Sequence, residues 1–428
     1  MGTLFEDLEF RGLVNQVTDP GLAKLLDSGH LSGYIGFDPT ADSLHVGHLQ
    51  QLCLLRRLQM GGHQPIAVAG GGTAVVGDPG GKTEERSLLD DDQIKRNLEG
   101  IRPQMERFLD FSAGAGSSQA VLVDNGDWLR PIGVLDFLRD VGKHFTVNQM
   151  VTKESVRARL ERPEHGISFT EFTYMLLQAY DFLHLFDTYG CRLQLGGSDQ
   201  WGNITMGIEL IRRVRRAEAF GLTSPLVVQA DGTKFGKTES GTIWLDAERT
   251  SPYQLFQFFL RVEDAVVRDY LRRLTFLDHD TIVSLDADTE SSPGERRAQR
   301  ALARAVCSMV HGDEEADRAE KAGAALFSEE IASLDERTLL DVFAEVPTTT
   351  MSRTLLDGAG LPVVTALVDV GLSASRNQAR SAISQGGAYV NNRRVEDAEA
   401  TLTSGELLEG RYVVLRRGRL HYHLVRFD

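Results

Sequence analysis

Two histidines three residues apart, His45 and His48 in Leu44-His-Val-Gly-His-Leu49, stand where a polar turn gives way to a helical pattern. Backbone N–H groups and the dipole at a helix start favour phosphate. Imidazole N–H groups placed there can bind the negative charge that grows during phosphoryl transfer. A metal pair or helix caps are the structural alternatives. Metal is the weaker of these, because no cysteine spacing and no acidic third ligand accompany the pair. Gly47 between the rings allows a nucleotide to approach closely.

Four further segments carry groups of the same kind. Gly77-Asp-Pro-Gly-Gly-Lys-Thr83 suggests a phosphate-binding loop, but the Walker pattern needs glycine five positions before Gly81, where Val76 stands. The P-loop reading, and a P-loop ATPase with it, fails there. A loop offering Lys82 and Arg86 to phosphates survives, against an ordinary solvated loop. Lys234-Phe-Gly-Lys-Thr238 lies between Gly232 and Gly241, so its two lysines can close over a triphosphate or simply solvate a turn. Tyr174, Gln178 and Asp181 are four and three apart, which puts them on one face of a helix amid apolar neighbours. Such a stripe lines a pocket for a small polar substrate, or is a hydrogen-bonded core. Gly196-Gly-Ser-Asp-Gln-Trp-Gly-Asn203 combines a glycine-rich strand end with side chains suited to sugar hydroxyls or a carboxylate.

The elements that must position these groups alternate in type. Leu49, Leu52 and Leu55 recur at helical spacing within residues 44–60, and Gly61-Gly62 ends the run. Residues 65–69, 121–123 and 192–195 are short apolar runs, each followed by turn residues, and read as buried strands. Strands separated by helices predict an α/β, Rossmann-like parallel sheet with ligands at the strands' carboxyl ends. From about 251 to 327 the pattern is helical, with segments at Gln254–Leu260, Ala265–Leu274 and Glu295–His311. Val346-Pro-Thr-Thr-Thr350 reads as a linker. The expected domains are therefore 1–250, 251–345 and a small α+β unit at 353–428.

With 428 residues, two or three domains are expected. The composition, 42% hydrophobic and 25% charged, is that of a globular protein, and no apolar run approaches the roughly 18 residues of a membrane span. The start lacks a signal-peptide pattern, and Cys53, Cys191 and Cys307 show no metal or redox spacing, so a cytoplasmic protein is expected. The net charge of −15 argues against nucleic acid, but it is unevenly spread. From Arg353 onward ten Arg face eight Asp and Glu, and Gly371–Arg394 holds four Arg and no acid. Local fields decide whether a polyanion docks. Gly371 reads as a helix stop and Ser373 as the N-cap of a helix to about Gln385, carrying Arg376 and Arg380 on one face. Ala388–Val390, the turn Asn391-Asn392 and Arg393-Arg394 follow as a hairpin. A basic helix beside a basic hairpin suits RNA phosphates, with a charged solvated surface as the lesser alternative. The Arg212-Arg213/Arg215-Arg216 cluster is similarly ambiguous.

The order of these segments carries more than any one of them. Residues 34–48 resemble the HIGH signature of class I aminoacyl-tRNA synthetases, here His45-Val-Gly-His48, and KFGKT at 234–238 resembles their KMSKS loop. YIGFDPTADSLHVGHL, FTYMLLQAYDF, GGSDQWGNI and DGTKFGKTESG resemble the bacterial tyrosine–tRNA ligase family, and the tail resembles the alpha-L RNA-binding module. The resemblance implies tyrosine activation with ATP and Mg2+, without a tightly bound cofactor, then transfer to tRNA by a homodimer. It assigns Tyr34 and Asp181 to the substrate phenol, Tyr174, Gln178 and Asp78 to its amino group, and Gln200 to its carboxylate. ATP would meet Gly36, Asp38, His48, Asp199 and Lys237. Thr40, His45, Lys82, Arg86, Lys234 and Lys237 would stabilise departing pyrophosphate, and Arg376, Arg380, Arg393 and Arg394 would face RNA. Ile35 and Gln51 depart from the family pattern of cysteine and threonine, and Ile35 cannot donate a hydrogen bond to ribose. A tryptophan-specific relative fits less well, since indole has no hydroxyl for Tyr34 and Asp181. A non-catalytic RNA-binding scaffold would be expected to show decayed motifs, and these are whole.

Overall fold

The structure, a computed structural model, describes residues 2–77, 90–153, 156–157, 160, 167–233, 235–238, 241–325, 329–344, 346–418 and 421–428. The chain divides into two compact units, Met1–Thr250 with Leu260–Val310, and Ser251–Phe259 with His311–Asp428. Among the described residues no helix is long and apolar enough to cross a membrane.

The first unit is an α/β fold built on six strands: β1 (Gln16–Val17), β2 (Ser32–Phe37), β3 (Gln64–Ala69), β4 (Val121–Asp124), β5 (Cys191–Gly197) and β6 (Phe220–Ser224). Their order is β1-β6-β5-β2-β3-β4, parallel throughout except for β1, which runs antiparallel on the edge. Of the apolar runs expected to be strands, β3 and β5 are interior to the sheet and buried on both faces, as parallel strands are, while β4 lies at the edge and is half-buried. From β2 the chain builds outward through β3 and β4. It then crosses back to lay β5 and β6 on the other side of β2. The order therefore reverses between β2 and β5, and a crevice opens above their carboxyl ends.

The helices are placed by local signals. Ser168 and Glu171 form a reciprocal capping box that starts the Phe169–Tyr189 helix, and Gly190, left-handed at φ 61, ends it. Met175, Ala179 and Phe182 of this helix enter the core with Tyr34 and Ile66. Each large apolar side chain fully buried in this way contributes about 1.5–3 kcal/mol. The Trp201–Arg215 helix lies against it, and Gly207 is what admits the Phe182 ring: a Cβ there would stand 2.8 Å from it. The helical run expected after residue 251 is present as Pro252–Leu260, Asp264–Leu274, His279–Ser291, Arg297–His311 and Asp313–Ala325.

In the second unit the strands Ala388–Val390, Arg393–Arg394, Tyr412–Arg417 and His421–Phe427 form an antiparallel sheet. The Thr348–Met351 strand runs parallel to His421–Phe427 at its edge. The segment expected to be a linker is thus partly this edge strand. Three consecutive β-branched threonines favour extended backbone, and this outweighs the proline beside them. The Asn391-Asn392 turn is as expected, both residues having positive φ (48 and 62), as a two-residue hairpin of this hand requires. Gly371 ends the Val363–Asp369 helix region at φ 77. The next helix begins later than expected: Ser375, not Ser373, caps Arg376–Ser384, accepting from the Gln378 N–H. Ser373 is instead buried, its backbone N–H bonded to the Leu367 carbonyl.

Candidate active site

Above the β2/β5 crevice lies a cavity of about 490 Å³. It brings together Tyr34, Gly36, Asp38, Thr40, His45, His48, Tyr174, Gln178, Asp181, Asp199 and Gln200, residues that are scattered along the sequence. Gly36 is exposed within β2, and a Cβ there would meet nothing within 4 Å, so the missing side chain leaves that wall open to a ligand. Asp78, Lys82, Arg86 and Lys234 lie outside the described residues, and Lys237 is described by its backbone alone, in the short strand Lys237–Thr238.

At one end His45 and His48 are locked by their own backbone. The Gly47 N–H donates to His45 Nδ1 at 3.1 Å, and the His45 N–H donates to His48 Nδ1 at 3.1 Å. A ring nitrogen that accepts carries no proton, so each neutral ring bears its hydrogen on Nε2 as a donor. Burial and the neighbouring His45 push His48 down to about 3, so it stays neutral near pH 7. The centroids of the two rings are 4.0 Å apart. Gly47 is required: a Cβ would stand 2.7 Å from His45 Cε1. The segment is also tied to the residues that follow the KFGKT loop, with the Val46 N–H on the Ile243 carbonyl (3.0 Å) and the Leu245 N–H on the Leu44 carbonyl (2.8 Å). Phe235, between the two lysines, is buried edge-on against Tyr270 at 4.8 Å. Gly236, at φ 83, passes so close to Val46 that a Cβ would lie 2.5 Å from its side chain. The two signature motifs are therefore packed on each other.

At the deep end Asp181 is 4% exposed. Trp128 Nε1 donates to its Oδ1 (2.8 Å) and Asn125 Nδ2 to its Oδ2 (2.9 Å). Burial still outweighs these two donors, and with Asp38 and Asp124 nearby it pushes Asp181 up to about 7. Tyr34 is buried in front of Phe182, its hydroxyl without a partner, and burial together with Asp181 raises it well above the usual phenol range. Asn125 also accepts from the Gly72 N–H (2.7 Å) and donates to Thr73 Oγ1 (3.1 Å), which in turn donates to Asp38 (3.2 Å). One asparagine thus joins the ends of β3 and β4 to the Asp181 carboxylate. The sequence motifs do not include Asn125 and Trp128, since Asp124-Asn-Gly126 reads only as a strand end. An amide at the carboxyl end of a parallel strand is the signal that could have found the first of them.

Along the side wall Asn203 Nδ2 donates to Gln178 Oε1 (3.0 Å) and to Gln200 Oε1 (3.1 Å), holding both amides toward the cavity. The Arg212–Arg216 cluster is a surface ion-pair face: Arg212 and Arg213 bind Glu209, and Arg215 binds Asp187. In the second unit Arg376, Arg380, Arg393 and Arg394 are exposed, with Arg380 3.7 Å from Glu399.

A deep polar socket, an amide-lined wall and two N–H donors at a topological switch point define a site for joining a small polar acid to a nucleotide. The family model described as class I tRNA synthetases (W and Y) matches residues 26–328, and the chain belongs to that family. A second model, the tyrosine–tRNA ligase SYY-like C-terminal domain, matches residues 338–425. Within the family the similarity is to tyrosine–tRNA ligases. That of Roseiflexus castenholzii is 53% identical over 426 residues, covering 100% of both chains. That of Geobacillus stearothermophilus is 50% identical over 99% of each. The crystal structure of a C-terminally truncated Aspergillus nidulans mitochondrial tyrosyl-tRNA synthetase superposes with a TM-score of 0.68 at 31% identity, over 76% of this chain and 95% of that one.

Proposed function

We infer that the chain activates L-tyrosine with ATP, releasing pyrophosphate, and then transfers tyrosine from the adenylate to the 3′ end of its tRNA. The observation that carries this reading is that Tyr34 and Asp181 both line the deep end of a cavity whose other end holds two Nε2–H donors. Tyr34 and Asp181 receive the phenol. Tyr174, Gln178 and Asp78 hold the amino group, and Gln200 lies near the carboxylate. That carboxylate attacks the α-phosphate of ATP directly, so no enzyme nucleophile is needed, and rate comes from positioning and charge stabilisation. His48 and Asp199 meet the ribose beside Gly36 and Asp38. Thr40, His45, Lys82, Arg86, Lys234 and Lys237 stabilise the leaving pyrophosphate, with Mg2+ entering as the ATP complex. Neutral imidazoles serve here as hydrogen-bond donors and need not give up a proton.

Phenylalanine would leave the Tyr34 hydroxyl unpaired and would bring the buried Asp181 carboxylate no donor beyond Trp128 and Asn125. Tyrosine-specific enzymes of this family are themselves the known example of that penalty, and the discrimination of roughly 10⁵ is theirs. Residues 1–250 form the catalytic domain in this reading, 251–345 the anticodon-stem domain, and 353–428 an RNA-binding domain using Arg376, Arg380, Arg393 and Arg394. A cytoplasmic homodimer is part of the same reading. Large apolar side chains are exposed at Val134, Leu135, Leu138, Val147 and Phe169, by 52–81%, and a second copy would cover them. The test is ATP–pyrophosphate exchange with each amino acid in turn, on wild type and Asp181→Ala. Exchange with tyrosine alone, lost or made indiscriminate in the variant, supports the reading. No exchange by folded protein supplied with Mg2+ overturns it.

A further inference from the structure

We propose that Gln104 and Asn97 are positioning residues for the activation step: from one face of the Asp91–Glu106 helix they fix the backbone turn that presents Thr40 and His45. The proposal rests on the tyrosine-activating reading, in which Thr40 and His45 stabilise the departing pyrophosphate. It adds two residues outside every motif quoted above. Residues 38–44 join β2 to the His45 segment and belong to neither strand nor helix, so no ladder of backbone bonds fixes their peptide groups. Something else must hold them if Thr40 and His45 are to stand in one place.

Asn97, Gly100 and Gln104 are three and four residues apart, so they share one face of the helix. Both amides are buried, Asn97 1% and Gln104 8% exposed, where a helix facing a core ordinarily carries apolar side chains. Asn97 Nδ2 donates to the Pro39 carbonyl at 2.7 Å, next to Thr40. Gln93 Nε2 in turn donates to Asn97 Oδ1 at 2.8 Å, which fixes the orientation of that amide. Gln104 Oε1 accepts from the Leu44 N–H at 2.9 Å, next to His45, and its Nε2 donates to the Gly100 carbonyl at 3.2 Å. Between the two anchors the helix touches the turn directly: a Cβ on Gly100 would stand 2.1 Å from the Asp42 carbonyl oxygen. The Leu44 carbonyl is taken by the Leu245 N–H, so the residue before His45 is pinned at both its N–H and its C=O. The His45 ring then follows from the bonds to Gly47 and His48. Among the described residues that line the cavity neither amide appears, so each acts through the backbone it holds.

The test is pyrophosphate exchange with tyrosine on Gln104→Leu, which keeps the bulk of the side chain and removes the acceptor, and on Asn97→Leu. Groups that stabilise charge formed only in the transition state govern kcat and leave ground-state binding alone. Each variant should lose about tenfold or more in kcat, in the range that a misplacement of about an ångström produces. The KM values for tyrosine and ATP should stay within about twofold of wild type. A double-mutant cycle then shows what each residue acts through. In a His45→Ala background Gln104→Leu should cost less than about twofold more, because the group it positions is gone. Asn97→Leu should behave likewise in a Thr40→Ala background. An unchanged kcat, a loss confined to KM, or full additivity in the double variants overturns the proposal and leaves the tyrosine reading standing. Folded wild type that exchanges with no amino acid overturns both. Asn97→Leu and its double carry the test if Gln104→Leu does not fold, and the Gln104 pair carries it in the reverse case.

Discussion

The Asp181 carboxylate has two donors and a buried setting, and the balance between them decides its charge. Burial wins, leaving it near 7 in the ligand-free pocket. If the ionised form accepts the phenol proton, tyrosine kcat/KM should rise with pH through about 7 and level off above it. In Asp181→Asn that limb should vanish; a pH profile with the same limb in both proteins would refute the assignment. The same shift has a stability sign. The folded value lies above the ordinary one of 3.8, so this group's contribution is most favourable below pH 3.8. It is then lost as pH rises toward 7. Asn125→Ala, which removes one donor to Asp181, should lower tyrosine kcat/KM about tenfold. Gly47→Ala acts at the other end. Its new methyl would displace the His45 ring, and kcat should drop about 10²-fold with tyrosine KM little changed, because only the transition state needs both donors.

At the scale of elements, the site depends on two segments being held together by backbone bonds and one aromatic ring. Phe235 anchors the loop between its lysines against Tyr270, whose hydroxyl donates to the Val228 carbonyl at 2.7 Å. Phe235→Ala should free that loop and raise the KM for ATP several-fold, while tyrosine binding, measured calorimetrically without ATP, stays as in wild type. Loss of tyrosine binding would show instead that the ring supports the whole pocket. The Phe169–Tyr189 helix carries Tyr174, Gln178 and Asp181, and its start is fixed by the Ser168–Glu171 box. Ser168→Ala should cost about 1 kcal/mol of stability, read by denaturant midpoint, because a cap is lost and no packing changes.

At the scale of the molecule, an acidic chain presents local arginine patches and, at Val134, Leu135 and Leu138, exposed apolar side chains. Charge reversal of Arg376 and Arg380 to Glu should weaken tRNA charging, make it less dependent on salt by about one counterion per lost phosphate contact, and leave pyrophosphate exchange untouched. A parallel loss of exchange would mean that the second unit does more than hold RNA. Leu135→Arg, which places charge on a side chain 81% exposed, should shift sedimentation toward monomer without lowering the melting temperature of the first unit.

The alternation of strands and helices, the two signature motifs and the polar stripe 174–178–181 are legible in the sequence because each is a local pattern, set by spacing of two, three or four residues. The acidic body and the arginine-rich tail are legible for the same reason. What the tertiary structure decided is which distant groups meet. Asn125 and Trp128 reach Asp181 only because β4 lies beside β3 and the Phe169–Tyr189 helix crosses above them. Gln194 faces Tyr34 only because β5 returns to the far side of β2. The Thr348–Met351 strand reads as a linker by itself, because its partner, His421–Phe427, lies more than seventy residues later in the chain. Pairing across a sheet is not recorded in local spacing: any strand can bond any other, and only the packed core selects the neighbour.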